Sequence, residues 1–311
     1  AFTRSLTECA PTFRSYVLRG DARRALNKPE TALADYQQAL ALNPGLIDSY
    51  VYERMASVSA DQSITYLSKA VDAPRPLAGQ VALRKRLVSI FNALGNVQGL
   101  EQQYNAILTA AQSAEDLAEA EEGLGELEIG NHRASDGYKH LQHVLTTYPT
   151  LKPAFDALLT LVTAGQDVDL LLRSRVNVAN QNYRPTVNKL SVYLATAGFQ
   201  APAELYVLFG QAQRGLEQFA DAIATFQKVR DNYPKDAMAS VAALEQGITY
   251  ETARDFPNAV KAYADTAALY TGSAEAPRAL WKAAQIEAKV GHAPQAVALY
   301  DQLATQYPRS A

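Results

Sequence analysis

LYVLFGQAQRGLEQFADAIATFQKVRDNYP, Leu205 to Pro234, decides the fold. It divides into two short amphipathic helices around a tight turn. Tyr206, Phe209, Gly210 and Gln213 share one face of the first helix. Ala222, Phe226 and Val229 share one face of the second, at the i, i+4, i+7 spacing of a buried stripe. Pro234 closes the unit, because a residue before proline is pushed out of the helical region. One hairpin of this kind cannot cover both of its apolar faces. It needs another stacked on it.

The chain supplies several. Tyr-Pro closers recur at Tyr148-Pro149, Tyr233-Pro234 and Tyr307-Pro308, and the last two prolines lie 74 residues apart, two strides of 37. Tyr270-Thr271-Gly272 marks the midpoint. Seven residues before each closing tyrosine stands a bulky residue: Leu141, Phe226, Tyr263 or Tyr300. Four residues earlier stands a small one: Gly137, Ala222, Ala259 or Ala296. Ala32, Tyr36, Ala39 and Asn43-Pro44 repeat the pattern near the start. The first helices carry a matching glycine at Gly20, Gly125, Gly210 and Gly247. A mid-helix glycine costs roughly 1 kcal/mol against alanine, so its recurrence implies a packing reason. The small residue is expected to let the first helix approach, with the bulky one plugging the space between neighbouring hairpins.

These residues resemble the tetratricopeptide repeat, a helix-turn-helix unit of about 34 residues. The resemblance covers residues 12–72, 114–149 and 201–308, and its signature residues thin out over 76–112 and 150–200. It implies an all-α fold: a right-handed α-solenoid of about seventeen helices. The Tyr-Pro ending and the 37-residue step resemble the longer variant common in bacterial envelope proteins. Arg19 and Arg23 stand where the family has apolar or aromatic residues, which marks the first unit as an end cap.

Composition agrees. The 311 residues are 48% hydrophobic and 20% charged with a net charge of −3, enough for a large core and no match for nucleic acid. A single cysteine, Cys9, excludes an internal disulfide framework and a cysteine-rich metal site. Leu6-Thr7-Glu8-Cys9 lacks the small residue and apolar run of a lipid-attachment site. No apolar run is long enough for a membrane span.

In chain order, residues 1–11 read as a loop, followed by hairpins over 12–42, 46–72, 77–112, 114–147 and 151–182. A single helix over 186–197 ends at Gly198. Three regular hairpins follow, over 203–232, 236–270 and 274–306. The organisation expected is an N-terminal lobe over 1–182, a connecting helix within 183–200 and a C-terminal lobe over 201–311, continuous with the first. The absence of a polar capping helix after Tyr307 leads to the expectation that the array continues past Ala311.

Candidate chemistry is sparse. Glu119, Glu122 and Glu126 fall on one face of a first helix. They read either as an acidic patch for a basic peptide or cation, or as a solvated face neutralised by Arg84-Lys85-Arg86. His140 and His143 lie three apart on a second helix, with no third metal ligand at helical spacing. No nucleophile triad, phosphate loop or zinc-protease motif is present, and no cofactor is called for. In the repeat register, first helices line the inner wall. Arg14, Asp21 and Arg24 occupy inner positions of the first unit, Arg214 of a later one, and Arg278, Trp281 and Gln285 of the last. Arginine and tryptophan are common binding anchors.

The leading functional expectation is a non-catalytic scaffold that binds a peptide or protein partner along the concave face. A second reading follows from resemblance to the helical superhelix that precedes the catalytic domain in soluble lytic transglycosylases, which would make peptidoglycan the ligand. The catalytic Glu-Ser and glycine-rich motifs of that family have no counterpart here. A third is an envelope assembly factor. Both place the chain outside the bacterial cytoplasm, the alternative being a cytoplasmic scaffold.

Overall fold

A computed structural model describes residues 12–42, 45 and 47–308. Cys9 and the Asn43-Pro44 closer lie outside these. The described residues form seventeen α-helices and one short 3₁₀ turn, with no strand. Contacts gather into two compact units, one ending at Tyr148 and the other beginning at Pro149.

The first unit holds four hairpins. They are α1 (Phe13–Ala25) with α2 (Pro29–Leu42), α3 (Asp48–Val58) with α4 (Ser63–Asp72), α5 (Leu77–Ala93) with α6 (Val97–Ala110), and α7 (Ala114–Gly130) with α8 (Ala134–Thr147). The second unit comprises α9 (Lys152–Thr163), α10 (Leu170–Ala179), α11 (Tyr183–Ala197), α12 (Ala203–Gly215), α13 (Phe219–Asn232), α14 (Met238–Thr252), α15 (Phe256–Leu269), α16 (Glu275–Lys289) and α17 (Ala293–Gln306).

Short polar side chains start several helices by accepting orphan backbone N–H groups. Thr12 and Ser15 form a capping box on α1. Asn96, Ser113, Asp169 and Asp255 cap α6, α7, α10 and α15. Before α4, Asp61 accepts from Ser59, and Gln62 precedes the helix without a side-chain bond.

The recurrent glycine has a plain steric cause. Tyr36 lies on Gly20, Leu141 on Gly125, Phe226 on Gly210 and Tyr263 on Gly247, each sixteen residues on. A Cβ at these four glycines would come within 2.6, 2.9, 2.7 and 2.5 Å of the bulky side chain. The plug therefore seats inside its own hairpin, against its own first helix, and does not lie only between neighbouring hairpins. Burying such a side chain contributes about 1.5–3 kcal/mol, more than the ~1 kcal/mol that helical glycine costs. In α5–α6 the polarity is reversed, with Phe91 of the first helix on Gly99 of the second.

The closing tyrosines act at a distance. The Tyr233 hydroxyl donates to the Ala201 carbonyl at 2.8 Å, and the Tyr307 hydroxyl donates to the Thr271 carbonyl at 2.9 Å. Each ties the loop that ends one hairpin to the loop before it.

Two details differ from the sequence reading. Arg19 and Arg23 do not mark a polar end. They converge on Asp35, which is buried in α2, with Arg19 Nε 3.0 and 3.1 Å from its two oxygens and Arg23 Nη1 at 2.8 Å. A buried carboxylate is tolerated because it is paired and hydrogen-bonded. Second, α11 packs as the second helix of a hairpin with α10. Their turn carries a left-handed residue, Gln181, as the later hairpins do at Glu217, Arg254 and Gly291. Asn182 N donates to Asn177 O just as Gln218 N does to Gln213 O. Ser174 and Leu190, both buried, stand in the glycine and plug registers.

Candidate partner-binding surface

Within each unit, charged side chains pair between successive first helices. In the first unit, Asp21 of α1 accepts from Arg54 of α3 at 3.0 Å. Glu53 of α3 meets Arg86 of α5 at 2.9 Å. Lys85 of α5 lies 2.9 Å from Asp116 and 2.5 Å from Glu119 of α7. In the second unit, Arg175 of α10 donates twice to Glu204 of α12, at 2.5 and 2.6 Å. Arg214 of α12 pairs with Glu245 of α14, which also accepts from Gln211 at 2.8 Å. Lys282 of α16 meets Glu251 of α14 at 3.0 Å. Most of these pairs are partly solvated, so each is worth about 0–1 kcal/mol. Their effect is on register: each first helix finds an opposite charge on the next.

Several candidate residues are therefore engaged within the fold. Asp21 also accepts from the Tyr36 hydroxyl at 2.9 Å. Arg24 lies 3.9 Å from Asp21 and 3.4 Å from the Ser57 hydroxyl. Glu119 and Arg214 belong to the pairs above. Burial, and after it the charges of Glu122 and Glu126, push the Tyr104 hydroxyl above its ordinary value. Hydrogen bonding to Lys85 leads the causes that hold Asp116 below the usual carboxylate range. Arg14 is exposed on α1.

The last first helix is different. Arg278, Trp281 and Gln285 are exposed on α16, and Trp281 retains 47% of its surface. One stride earlier the same register holds Leu244, and two strides earlier Val207, each only 3% exposed. Those residues are buried where α12 packs on α14 and α14 packs on α16.

Three models of the tetratricopeptide repeat match the sequence, over residues 13–46, 204–236 and 244–311. The chain carries tetratricopeptide repeats. No curated protein matches it. Among solved structures it resembles the TPR2AB domain of yeast Sti1 in complex with pHSP90, at 15% identity over 94% of this chain and 97% of that one, with a TM-score of 0.31. It also resembles the C-terminal part of a TPR repeat-containing protein from Cytophaga hutchinsonii, at 16% identity, 90% and 92% coverage and a TM-score of 0.37. The apo form of RapI follows at 11% identity, 94% and 97% coverage and a TM-score of 0.34. With TM-scores below 0.5, none of the three carries weight for fold or function. The fold assignment rests on the helices and on the repeat matches.

Two of the matched tetratricopeptide segments frame the glycine seats at 210 and 247, and the third frames that at 20. Between α10, α11 and α12 lies an open depression of about 440 Å³, lined in part by Arg175, Val178, Tyr183, Leu208 and Arg214. Both arginines already serve the ionic ladder. His140 and His143 are not isolated. Glu121, on the facing helix α7, lies 3.4 Å from Nδ1 of His140 and 2.6 Å from Nδ1 of His143. Helical spacing within α8 could not reveal a partner on α7. Among the described residues no group of three or more His, Cys, Asp or Glu side chains is arranged to hold a metal ion. No described helix is long and apolar enough to cross a membrane.

Proposed function

We propose that the chain is a non-catalytic scaffold that binds a protein or peptide partner along its first helices. The observation that carries this is the stack of tetratricopeptide hairpins itself, on whose first helices Arg14, Arg278, Trp281 and Gln285 stand exposed. Stacked repeats in general act through extended surfaces made of such helices. The other first helices contribute rigidity, since their charges are tied to one another. The transglycosylase-like and envelope readings gain no support from the helices or from the repeat matches.

The test is positional. A photo-crosslinking residue is placed in cells at Arg14, Glu126, Arg278 or Gln285 on first helices, and at Gln142, Asp231 or Asp301 on second helices. The first set is expected to crosslink to a discrete partner and the second to give background. Crosslinking confined to the second set would overturn the reading. Release of fragments from peptidoglycan by the isolated chain is expected to be absent.

A further inference from the structure

Between the second helices α11 and α13 lies a depression of about 350 Å³, floored by α12. Leu194 and the exposed Phe199 line it on one side, Thr225 and Lys228 on the other, and Tyr206 and Phe209 lie beneath. Hairpins stand on both sides of it, so it is not an open end of the stack. Its hydroxyl groups are engaged within the fold. Tyr206 donates to the Gly198 carbonyl at 2.9 Å, Ser191 to the Asn188 carbonyl at 3.0 Å, and Thr225 to the Gln213 side chain at 2.8 Å. What remains for a ligand is aromatic and aliphatic surface and one ammonium group, that of Lys228. No carboxylate lines the depression. On α13, Asp231 accepts from Gln227, which faces Gln246 of α14 on the far side of the helix, and Asp221 lies two turns before Lys228. Between Asp169 and Glu204, a stretch that contains all of α11, the sequence holds four cations and no acid, on a chain whose net charge is −3. One of the four, Arg184, shares a face of α11 with Ser191.

The two junctions that follow fill the same place. The plug offset from Leu190 to Phe226 puts Ser191 and Leu194 in register with Gln227 and Arg230. The glycine offset from Gly210 to Gly247 puts Phe209 in register with Gln246. There, long polar side chains bridge the space: Arg230 Nη1 donates to Gln246 Oε1 at 2.7 Å, and Gln246 Nε2 to the Ile223 carbonyl at 3.5 Å. One stride further Ala264, Ala267 and Ala283 stand in these positions, and the last two are buried. At the junction of α11 and α13 neither device operates, and Phe199, Tyr206 and Phe209 line open space.

We infer that this depression docks a segment of a partner protein that inserts one aromatic or leucine side chain, with a carboxylate beside it on Lys228. A pocket for a small molecule buries most of its ligand. This depression is open on one side, which suits an anchor side chain delivered on a larger chain. Val192, 70% exposed on α11, adds apolar surface next to Ser191. The inference adds a contact on second helices to the scaffold reading. Position 231 belongs to the far side of α13 and stays outside that contact.

The methyl resonances of Leu194 report the event, since that side chain lines the depression. The probe is the peptide acetyl-Glu-Phe-Glu-amide. Its controls are acetyl-Glu-Ala-Glu-amide and acetyl-Lys-Phe-Lys-amide. The probe is expected to shift the Leu194 methyls with a dissociation constant of about 1 mM, rising with salt, and each control to bind at least about tenfold more weakly. Ala195→Phe fills the depression from an exposed position of α11 and should abolish the shift with the helical circular dichroism unchanged. Lys228→Glu should weaken binding about fivefold. Equal shifts with either control, no shift with any peptide, or full affinity in either variant would overturn the inference. So would a response to phosphatidylserine vesicles without one to the probe, which would make this a membrane contact. Binding of 3-phenylpropanoate as tightly as the probe would make it a small-molecule site, and a shift driven by protein concentration alone would place a second copy here; both overturn it too. If no peptide binds while Arg14 and Glu126 still crosslink a partner, this inference fails and the scaffold reading stands.

Discussion

Hairpins α14–α15 and α16–α17 are successive copies of one pattern, a stride of 37 residues apart, yet they differ in what they bury. In the former, Leu244 is 3% exposed and Tyr263 is fully buried. In the latter, the equivalent Trp281 and Tyr300 keep 47% and 38% of their surface. The glycine beneath the plug, Gly247, is replaced by Ala284. The difference teaches that burial in this chain is only half local. A plug needs a seat on its own first helix and a neighbour on its other side.

The sharpest way to break that comparison is truncation of the plug. Tyr263→Ala should cost about 4 kcal/mol in urea unfolding, as for other large core side chains. Tyr300→Ala should cost about 1 kcal/mol or less, since surface substitutions rarely exceed that. Equal costs would mean that the two hairpins are equally covered. The seat is tested next. Gly247→Ala should destabilise by about 2 kcal/mol despite its better helix propensity, because its Cβ meets Tyr263 at 2.5 Å. Ala284→Gly should cost only about 1 kcal/mol, the propensity term alone. A Gly247→Ala variant more stable than the parent would refute the steric account.

Alkaline titration tests the buried plug. Burial, then the hydrogen bond to Glu251, push the Tyr263 hydroxyl above its ordinary value. A group raised in the folded state contributes stability that is complete below the unfolded value, about 10 for tyrosine, and is lost as pH rises through the folded one. Stability should therefore fall from about pH 10 upward, and Tyr263→Phe should make that fall shallower. Tyr36, raised first by burial and then by Asp21, leaves a residual slope. The smallest expected effect is Lys282→Ala, under about 1 kcal/mol and shrinking further in high salt.

The sequence made the helices and their stride legible because the signal is steric and local. A glycine and a bulky residue sixteen positions apart recur wherever two helices cross closely, and a proline or left-handed turn residue ends each run. Of the ionic ladder only the rung from Lys85 to the α7 acids was legible. The ladder's partners lie 29 to 34 residues apart, the offset shifts from hairpin to hairpin, and the sign reverses between Asp21–Arg54 and Arg214–Glu245. Arg19 and Arg23 looked misplaced because Asp35, which they neutralise, sits one helix away. Ser174 and Leu190 hold the glycine and plug registers of a hairpin whose seat is not glycine, so α11 read as a connector. Among the candidate residues, Trp281 stood out as the sole tryptophan. Its exposure followed only once Val207 and Leu244 were seen buried in its register.

The claim beneath all of this is that each hairpin is buried in part by the hairpin that follows it, so that among the described residues Trp281 of α16 stands exposed where Leu244 of α14 does not. Quenching of Trp281 emission by iodide measures it most directly. Partial quenching, stronger than for a buried indole and weaker than for free indole in water, is the predicted result for a side chain that keeps 47% of its surface, whereas an emission shielded from iodide in the dilute chain would contradict it.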